Sequence, residues 1–204
     1  MATPVVANII KSGAVLWVAP VGETKPDETS VIYGAAWGGN WTRVGYTKES
    51  LKAAYDSKEA DGKVQEELAP VKRWRIEEGL TLETVLAELT AAYLQLAAAN
   101  QTAVSSTAAG AGQKAYEETG LGGVAELTEK AWGFEGLFIN ASGDDEPVRL
   151  FIHKGTAMIN GPLEFSKVSD DYTGVPIQIK ALTDTTQTAG KKLALWQRCT
   201  AEAT

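Results

Sequence analysis

The stretch TLETVLAELTAAYLQLAAA, residues 81–99, carries the clearest periodicity in the chain. Apolar side chains at Leu82, Val85, Leu86, Leu89, Ala92, Tyr93 and Leu96 follow the i, i+3, i+4, i+7 recurrence of a helix with one buried stripe. Thr81, following Gly79 and Leu80, suits an N-cap, Glu83 places negative charge in the first turn, and Asn100 can close the C-terminus. The spacing therefore predicts one α-helix over about 81–99. Its outer face holds Glu83, Thr84, Glu88, Gln95 and several alanines, a weakly charged face that another element or subunit is expected to cover in part.

Working outward, the signals are for strands. Short runs bounded by Gly, Pro, Asn or Asp fall at 13–18, 41–45, 71–77, 134–140, 148–153, 163–167, 175–182 and 193–197. Alternation is cleanest for Val175, Ile177, Ile179 and Ala181 against Pro176, Gln178 and Lys180. It recurs for Val148, Leu150 and Ile152 against Arg149, Phe151 and His153. Many strands and one long helix describe a β-dominated, antiparallel α+β fold; a doubly wound sheet would need helices between successive strands. Three stretches fit neither pattern: an arm over 1–12, a charged segment over 46–70 whose Asp61-Gly62 reads as the tip of a long hairpin, and a Gly/Ala-rich loop over 103–130.

Composition narrows the function. The 204 residues suit a single domain, 1–204, because a chain of that length buries roughly 70% of its unfolded surface. With only His153 and Cys199 as histidine and cysteine ligands, no structural zinc site of four cysteines or of paired cysteines and histidines, and no intrachain disulfide, can be built. Cys199 lies in a polar tail, His153 is the sole histidine available to a Ser/His/Asp triad, and no G-x-S-x-G elbow is present. Gly110-Ala111-Gly112-Gln113-Lys114 lacks phosphate-loop spacing, Gly120-Leu121-Gly122-Gly123 does not follow a strand in a βαβ unit, and Asp144-Asp145-Glu146 and Asp170-Asp171 lack the pattern of a calcium loop. The expectation is a protein that is no enzyme and has no cofactor or metal.

Nineteen Lys and Arg against 26 Asp and Glu leave a net charge of −7, which opposes general binding to phosphate backbones. No apolar run reaches the roughly 20 residues of a membrane helix, and MATPVVANIIKSGAVLWVAP does not read as a secretion signal, so the product is expected to stay in the cytoplasm where it is made. Two features suit contacts between chains. Alternation on a strand puts Arg73 and Arg75 on one face and Trp74 on the other, marking these three as subunit-interface candidates that pair with Glu77 or a neighbouring subunit. Six tryptophans, with Trp37 and Trp41 flanking Gly38-Gly39-Asn40, serve either a core or an interface. Tryptophans exposed in one groove would instead suit a carbohydrate-binding module.

The order of these features resembles a family. The run Trp41-Thr42-Arg43-Val44-Gly45-Tyr46-Thr47, the charged loop, the strand led by Pro70 and the helix with Leu86-Ala87-Glu88-Leu89-Thr90 are similar to the N-terminal half of siphophage major tail proteins, the tail tube proteins. Asp171-Tyr172-Thr173-Gly174-Val175-Pro176-Ile177-Gln178-Ile179-Lys180-Ala181-Leu182-Thr183-Asp184 resembles the Pro-led strand and turn near their end, and the likeness spans about 30–197. The resemblance implies an antiparallel β-sandwich or small barrel flanked by one helix, with subunits in hexameric rings that stack into a tube through which DNA passes on ejection. It implies a virion-tail location after assembly in the host cytoplasm, and tape measure, terminator and distal tail proteins as partners. A tail terminator, head–tail connector or secretion-system tube protein of the same fold is the alternative.

The resemblance also implies that an extended loop in the first half and flexible terminal arms make the contacts between rings; 46–70 and the 1–12 arm fit those roles by position, which makes Lys58, Glu59, Asp61, Lys63, Glu66 and Glu67 the inter-ring candidates. Deleting 56–64 is therefore expected to leave a folded subunit that forms few tubes. A wall of the same sign as DNA would let phosphates slide, so the inner wall of an assembled tube is predicted to be net acidic. A structure of the assembly with Lys and Arg predominating on that wall contradicts the prediction.

Overall fold

In the run from Asp145 to Ile159, Val148 and Ile152 on one side and Arg149 and Phe151 on the other are all withdrawn from water. A strand buried on both faces has to be covered twice, and the rest of the chain is arranged around that need. The computed structural model describes residues 15–26, 32–99, 103–139, 143, 145–163 and 174–199. Its elements are β1 (Val15–Ala19), β2 (Thr42–Arg43), β3 (Lys52–Gly62), β4 (Lys72–Leu86), α1 (Ala91–Ala97), β5 (Ser105–Thr107), β6 (Tyr116–Glu118), β7 (Glu129–Ile139), β8 (Asp145–Ile159), β9 (Val175–Ala181) and β10 (Ala194–Arg198).

All strand pairings are antiparallel. One edge of β8 pairs with β7, from Asp145 opposite Ile139 to Thr156 opposite Glu129. Its other edge is divided: β10 takes Val148 to Ile152, and β9 takes Gly155 to Ile159. From β7 the sheet continues through β1 to β2, and from β9 through β4 to β3. The division falls at Gly155, where a Cβ would crowd the carbonyl of Lys180 and the ring of Trp132. Opposite it, the register of β7 shifts between Lys130 and Trp132, the bulge that bends a strand at a sheet corner.

The two halves face each other across one core. Leu16, Trp132, Phe134 and Ile152 come from the first, Leu82, Leu86, Ile177 and Ile179 from the second, and Val44 and Ala97 close the cluster. The fold is thus a β-dominated sandwich with one helix among the described residues. It is not a barrel, since the pairing path ends at β2 and β3 without closing.

The helix is shorter than its periodicity predicts. Residues 81–86 belong to β4, where Leu82, Thr84 and Leu86 are buried at every second position and pair opposite Ile179, Ile177 and Val175 of β9. Leu82 and Leu86, four apart, satisfy a helix and a strand equally, while Thr81, Thr84 and Val85 favour the strand. The N-cap is Thr90, whose hydroxyl accepts the Tyr93 N–H at 3.2 Å, not Thr81. The expected tip at Asp61-Gly62 is also displaced: β3 runs through Gly62, and a connection over 63–71 closes with Val71 N–H donating to Gly62 at 2.9 Å. Within the expected loop 103–130, β5 and β6 form a separate two-stranded sheet and β7 begins at Glu129. The arm over 1–12, the strand over 164–167 and the Asn100 cap lie outside the described residues.

Behind the core sheet sits a second cluster. Trp17, Gly133, Phe151 and Leu195 form one row across β1, β7, β8 and β10, and Val15, Glu135, Arg149 and Gln197 the next. Gly133 leaves the slot that Trp37 fills, stacked on Trp17 with ring centroids 5.0 Å apart and tilted against Phe151 at 5.3 Å. The carboxylate of Glu135 is fully buried and accepts from Arg149 at 3.0 Å, from the Trp37 indole at 3.3 Å and from the Gly34 N–H at 3.0 Å. Trp41 donates to the Thr24 carbonyl at 2.8 Å and packs edge-on against Trp37, so the segment 34–41 is fastened over the sheet at both ends.

Two substitutions test this packing. A Cβ at Gly133 overlaps the Trp37 ring, so Gly133→Ala is expected to cost about 1–3 kcal/mol and to red-shift tryptophan emission. Arg149→Met strands a buried carboxylate and is expected to cost about 3–5 kcal/mol, whereas the double change Glu135→Leu/Arg149→Met costs far less. Urea unfolding followed by fluorescence measures both.

Candidate assembly surface

Strands β3 and β4 pair from Lys52 opposite Glu83 to Gly62 opposite Lys72. The pairing of β4 with β9 stops at Thr81 opposite Lys180. Beyond that point the hairpin has no other sheet partner among the described residues. From Thr81 to Lys72 the rise of roughly 3.3 Å per residue carries it about 30 Å from the sandwich.

The sequence supplies the zipper that holds these strands together. Arg73 lies opposite Asp61 and donates to its carboxylate at 2.7 Å, with Glu59 at 3.6 Å. Lys58 lies opposite Glu77 at 2.6 Å, and Arg75 donates to Glu78 at 3.0 Å and to the Tyr55 hydroxyl at 2.7 Å. Opposite charges facing across two strands favour this register, although each exposed pair is worth only about 0–1 kcal/mol. The Asp61 carboxylate holds the Arg73 pKa above its ordinary value, and Glu77 does the same for Lys58. The Tyr55 hydroxyl, then Arg75, hold the Glu78 carboxyl below the usual range.

Alternation places Arg73 and Arg75 as the sequence predicts, but their carboxylates are Asp61 and Glu78. Glu77, the expected partner, is taken by Lys58. The register shifts between Lys58 and Glu59, leaving Ile76 as the extra residue of a bulge. Trp74 folds over Gly62 yet keeps 46% of its surface in water, Ile76 keeps 62%, and Leu68 in the connection is fully exposed. A two-stranded ribbon is marginally stable alone in water, and this one keeps large apolar side chains exposed along its length.

All nine sequence candidates lie on this one arm. Lys58, Glu59 and Asp61 are on β3, Lys63, Glu66 and Glu67 in the 63–71 connection, and Arg73, Trp74 and Arg75 on β4. The division into inter-ring and subunit-interface sets therefore has no counterpart in their placement. The deletion of 56–64 would leave Lys72 to Gly79 unpaired, so a clean excision removes both strands symmetrically.

Two surface features escaped the sequence. Strand β10 presents its second edge unpaired among the described residues, with Trp196 58% exposed. At the far end of β4, α1 stands off β1 and β2 and leaves a groove, positioned because the Tyr93 hydroxyl accepts the Gly45 N–H at 3.0 Å and Glu88 accepts that of Tyr46 at 3.2 Å. The six tryptophans thus divide: Trp17, Trp37 and Trp132 are buried, Trp41 half-buried, and Trp74 and Trp196 exposed.

The residues weighed for chemistry are dispersed. His153 is half-buried in β8, and desolvation pushes its pKa down against the opposing pull of Asp184. Asp184 is engaged in its own turn, accepting from Thr186 N–H at 3.0 Å, Thr186 hydroxyl at 2.7 Å and Gln187 at 3.1 Å. Gly110 and Gln113 bridge the tip between β5 and β6. Among the described residues no three His, Cys, Asp or Glu side chains gather as a metal site; Asp144, Asp170 and Asp171 lie outside them.

Compared with family models, the chain matches the one described as phage tail tube protein over residues 1–200. No curated protein matches it.

Acid should loosen the arm before the sandwich. With its folded pKa depressed, Glu78 contributes stability above its unfolded value of about 4.5, and this is lost as pH falls through the lower folded value. Resonances of 56–62 and 72–79 are expected to move toward random-coil shifts as pH falls below the unfolded value, while those of β7 and β8 persist. Simultaneous loss of both sets contradicts the prediction.

Proposed function

The chain belongs to the phage tail tube protein family, and from that premise we propose that it assembles into hexameric rings that stack into the conduit for DNA during ejection. It is a structural protein of the virion tail. No helix among the described residues is long and apolar enough to cross a membrane. Rings of six, assembly in the host cytoplasm, passage of DNA without specific binding, and contact with tape measure, terminator and distal tail proteins belong to the proposal.

The observation that carries it is the free-standing β3–β4 arm. A ribbon about 30 Å long with Trp74, Ile76 and Leu68 in water is costly for a solitary molecule and useful to one that meets copies of itself. Its ion pairs give the ribbon a defined shape before contact, which lowers the ordering cost of association. The edge of β10, unpaired among the described residues, supports lateral closure in the same way, since an unpaired edge invites another strand and a closed ring uses every edge. The net charge of −7 supports a wall along which phosphates slide.

Negative-stain electron microscopy across a concentration series tests the proposal. Tubes of constant diameter are expected; isolated rings would instead identify a terminator or connector of the same fold, and a strictly monomeric species would contradict both. Replacing 58–77 by Asn-Gly joins Ser57 to Glu78, which already face each other, through a two-residue turn. This variant is expected to fold and to form few or no tubes. Unimpaired tube growth would remove the arm from the account.

A further inference from the structure

The groove between α1 and β2 has a volume of about 450 Å³. Its walls are Val18, Val44, Tyr93, Leu96, Ala99 and Trp132. Its only charged lining residues are Arg43 and Lys130, and no carboxylate lines it, although acids outnumber bases in the whole chain by 26 to 19. Neither cation has a carboxylate partner among the described residues. An apolar trough edged by two cations selects an apolar side chain accompanied by acids.

Among the described residues the most exposed apolar side chain beside acids is Leu68, whereas Glu77 and Glu78 beside Ile76 are already held by Lys58 and Arg75. Glu66 and Glu67 immediately precede Leu68, whose side chain makes no contact that shields it from water, with Val64 and Val71 also exposed in the same connection. This tip cannot reach its own groove. The connection joins β4 at Lys72, whereas the groove adjoins the other end, where Thr47 bridges Leu86 and Ala87 N–H donates to Tyr46 at 2.8 Å. At roughly 3.3 Å per residue the two ends of β4 are about 45 Å apart.

We propose that the 63–71 tip of one copy docks in the α1–β2 groove of a second copy, with Leu68 among Val44, Tyr93 and Leu96 and with Glu66 and Glu67 against Arg43 and Lys130. Knob and socket lie at opposite ends of the same strand, so the contact is head-to-tail. A heterologous contact of this kind leaves a free knob and a free socket after every addition and propagates without closing on itself. The proposal rests on the stacking reading above and assigns the surface on which the arm lands.

The test uses cysteine pairs in a Cys199→Ser background. Leu68→Cys mixed with Gln95→Cys is expected to give disulfide-linked dimers once tubes form, and both changes in one chain a ladder of multimers. Leu68→Asp, at a fully exposed position, should leave unfolding unchanged and raise the critical concentration for tubes at least about tenfold. Glu66→Lys/Glu67→Lys should do likewise, with growth restored by Arg43→Glu/Lys130→Glu in the same chain. Tubes that grow normally with Leu68→Asp, or in which Leu68→Cys and Gln95→Cys do not cross-link, overturn the socket while leaving stacking intact. Absence of tubes and rings from the unaltered protein at every concentration overturns stacking and the socket together.

Discussion

The divided edge of β8 is the constraint on which the architecture depends. A strand has one row of hydrogen-bonding groups on each side, and β8 gives one row to β7 but splits the other between β10 and β9. Two strands sharing an edge in succession diverge, and the changeover at Gly155 lies opposite the register shift of β7 between Lys130 and Trp132. The single sheet thereby becomes two layers that enclose Leu16, Trp132, Leu82 and Ile177 in one core. With β4 held against β9 only from Thr81 to Leu86, its other half must leave the body of the protein. The arm is therefore a consequence of strand length: β4 has 15 residues and the layer can use the last six, 81–86.

The opposite face of the first layer is closed by different means. A buried Glu135–Arg149 pair is weak evidence of net stability, because desolvation offsets much of the attraction. Its value here is geometric. The carboxylate fixes the Trp37 indole and the Gly34 backbone at once, so the segment 34–41 has one position over Trp17 and Phe151. Arg43, Tyr46 and the groove beside α1 follow directly in the chain, and they inherit that placement.

Much of this was legible in the sequence where periodicity was unambiguous. Val175, Ile177 and Ile179 alternate with polar residues and are buried, and the resemblance to tail tube proteins agrees with the family match over 1–200. The failures have physical causes. Leu82 and Leu86 suit two periods at once, and only pairing with β9, a partner some hundred residues distant, decides between them. Asp61-Gly62 has turn chemistry, but the Arg73–Asp61 pair extends the ladder past it. The groove was invisible because it depends on β4 ending at Leu86 before α1 begins, and a helix drawn from 81 leaves no such space.

The account's central claim is that the β3–β4 arm is completed by other copies of the chain. Hydrogen exchange of the dissociated subunit and of the assembled form tests it most directly. Amides within 56–62 and 72–79 are predicted to exchange far faster than those of β7 and β8 in the subunit, and to become protected on assembly. Arm protection that is equal in both forms would contradict the claim.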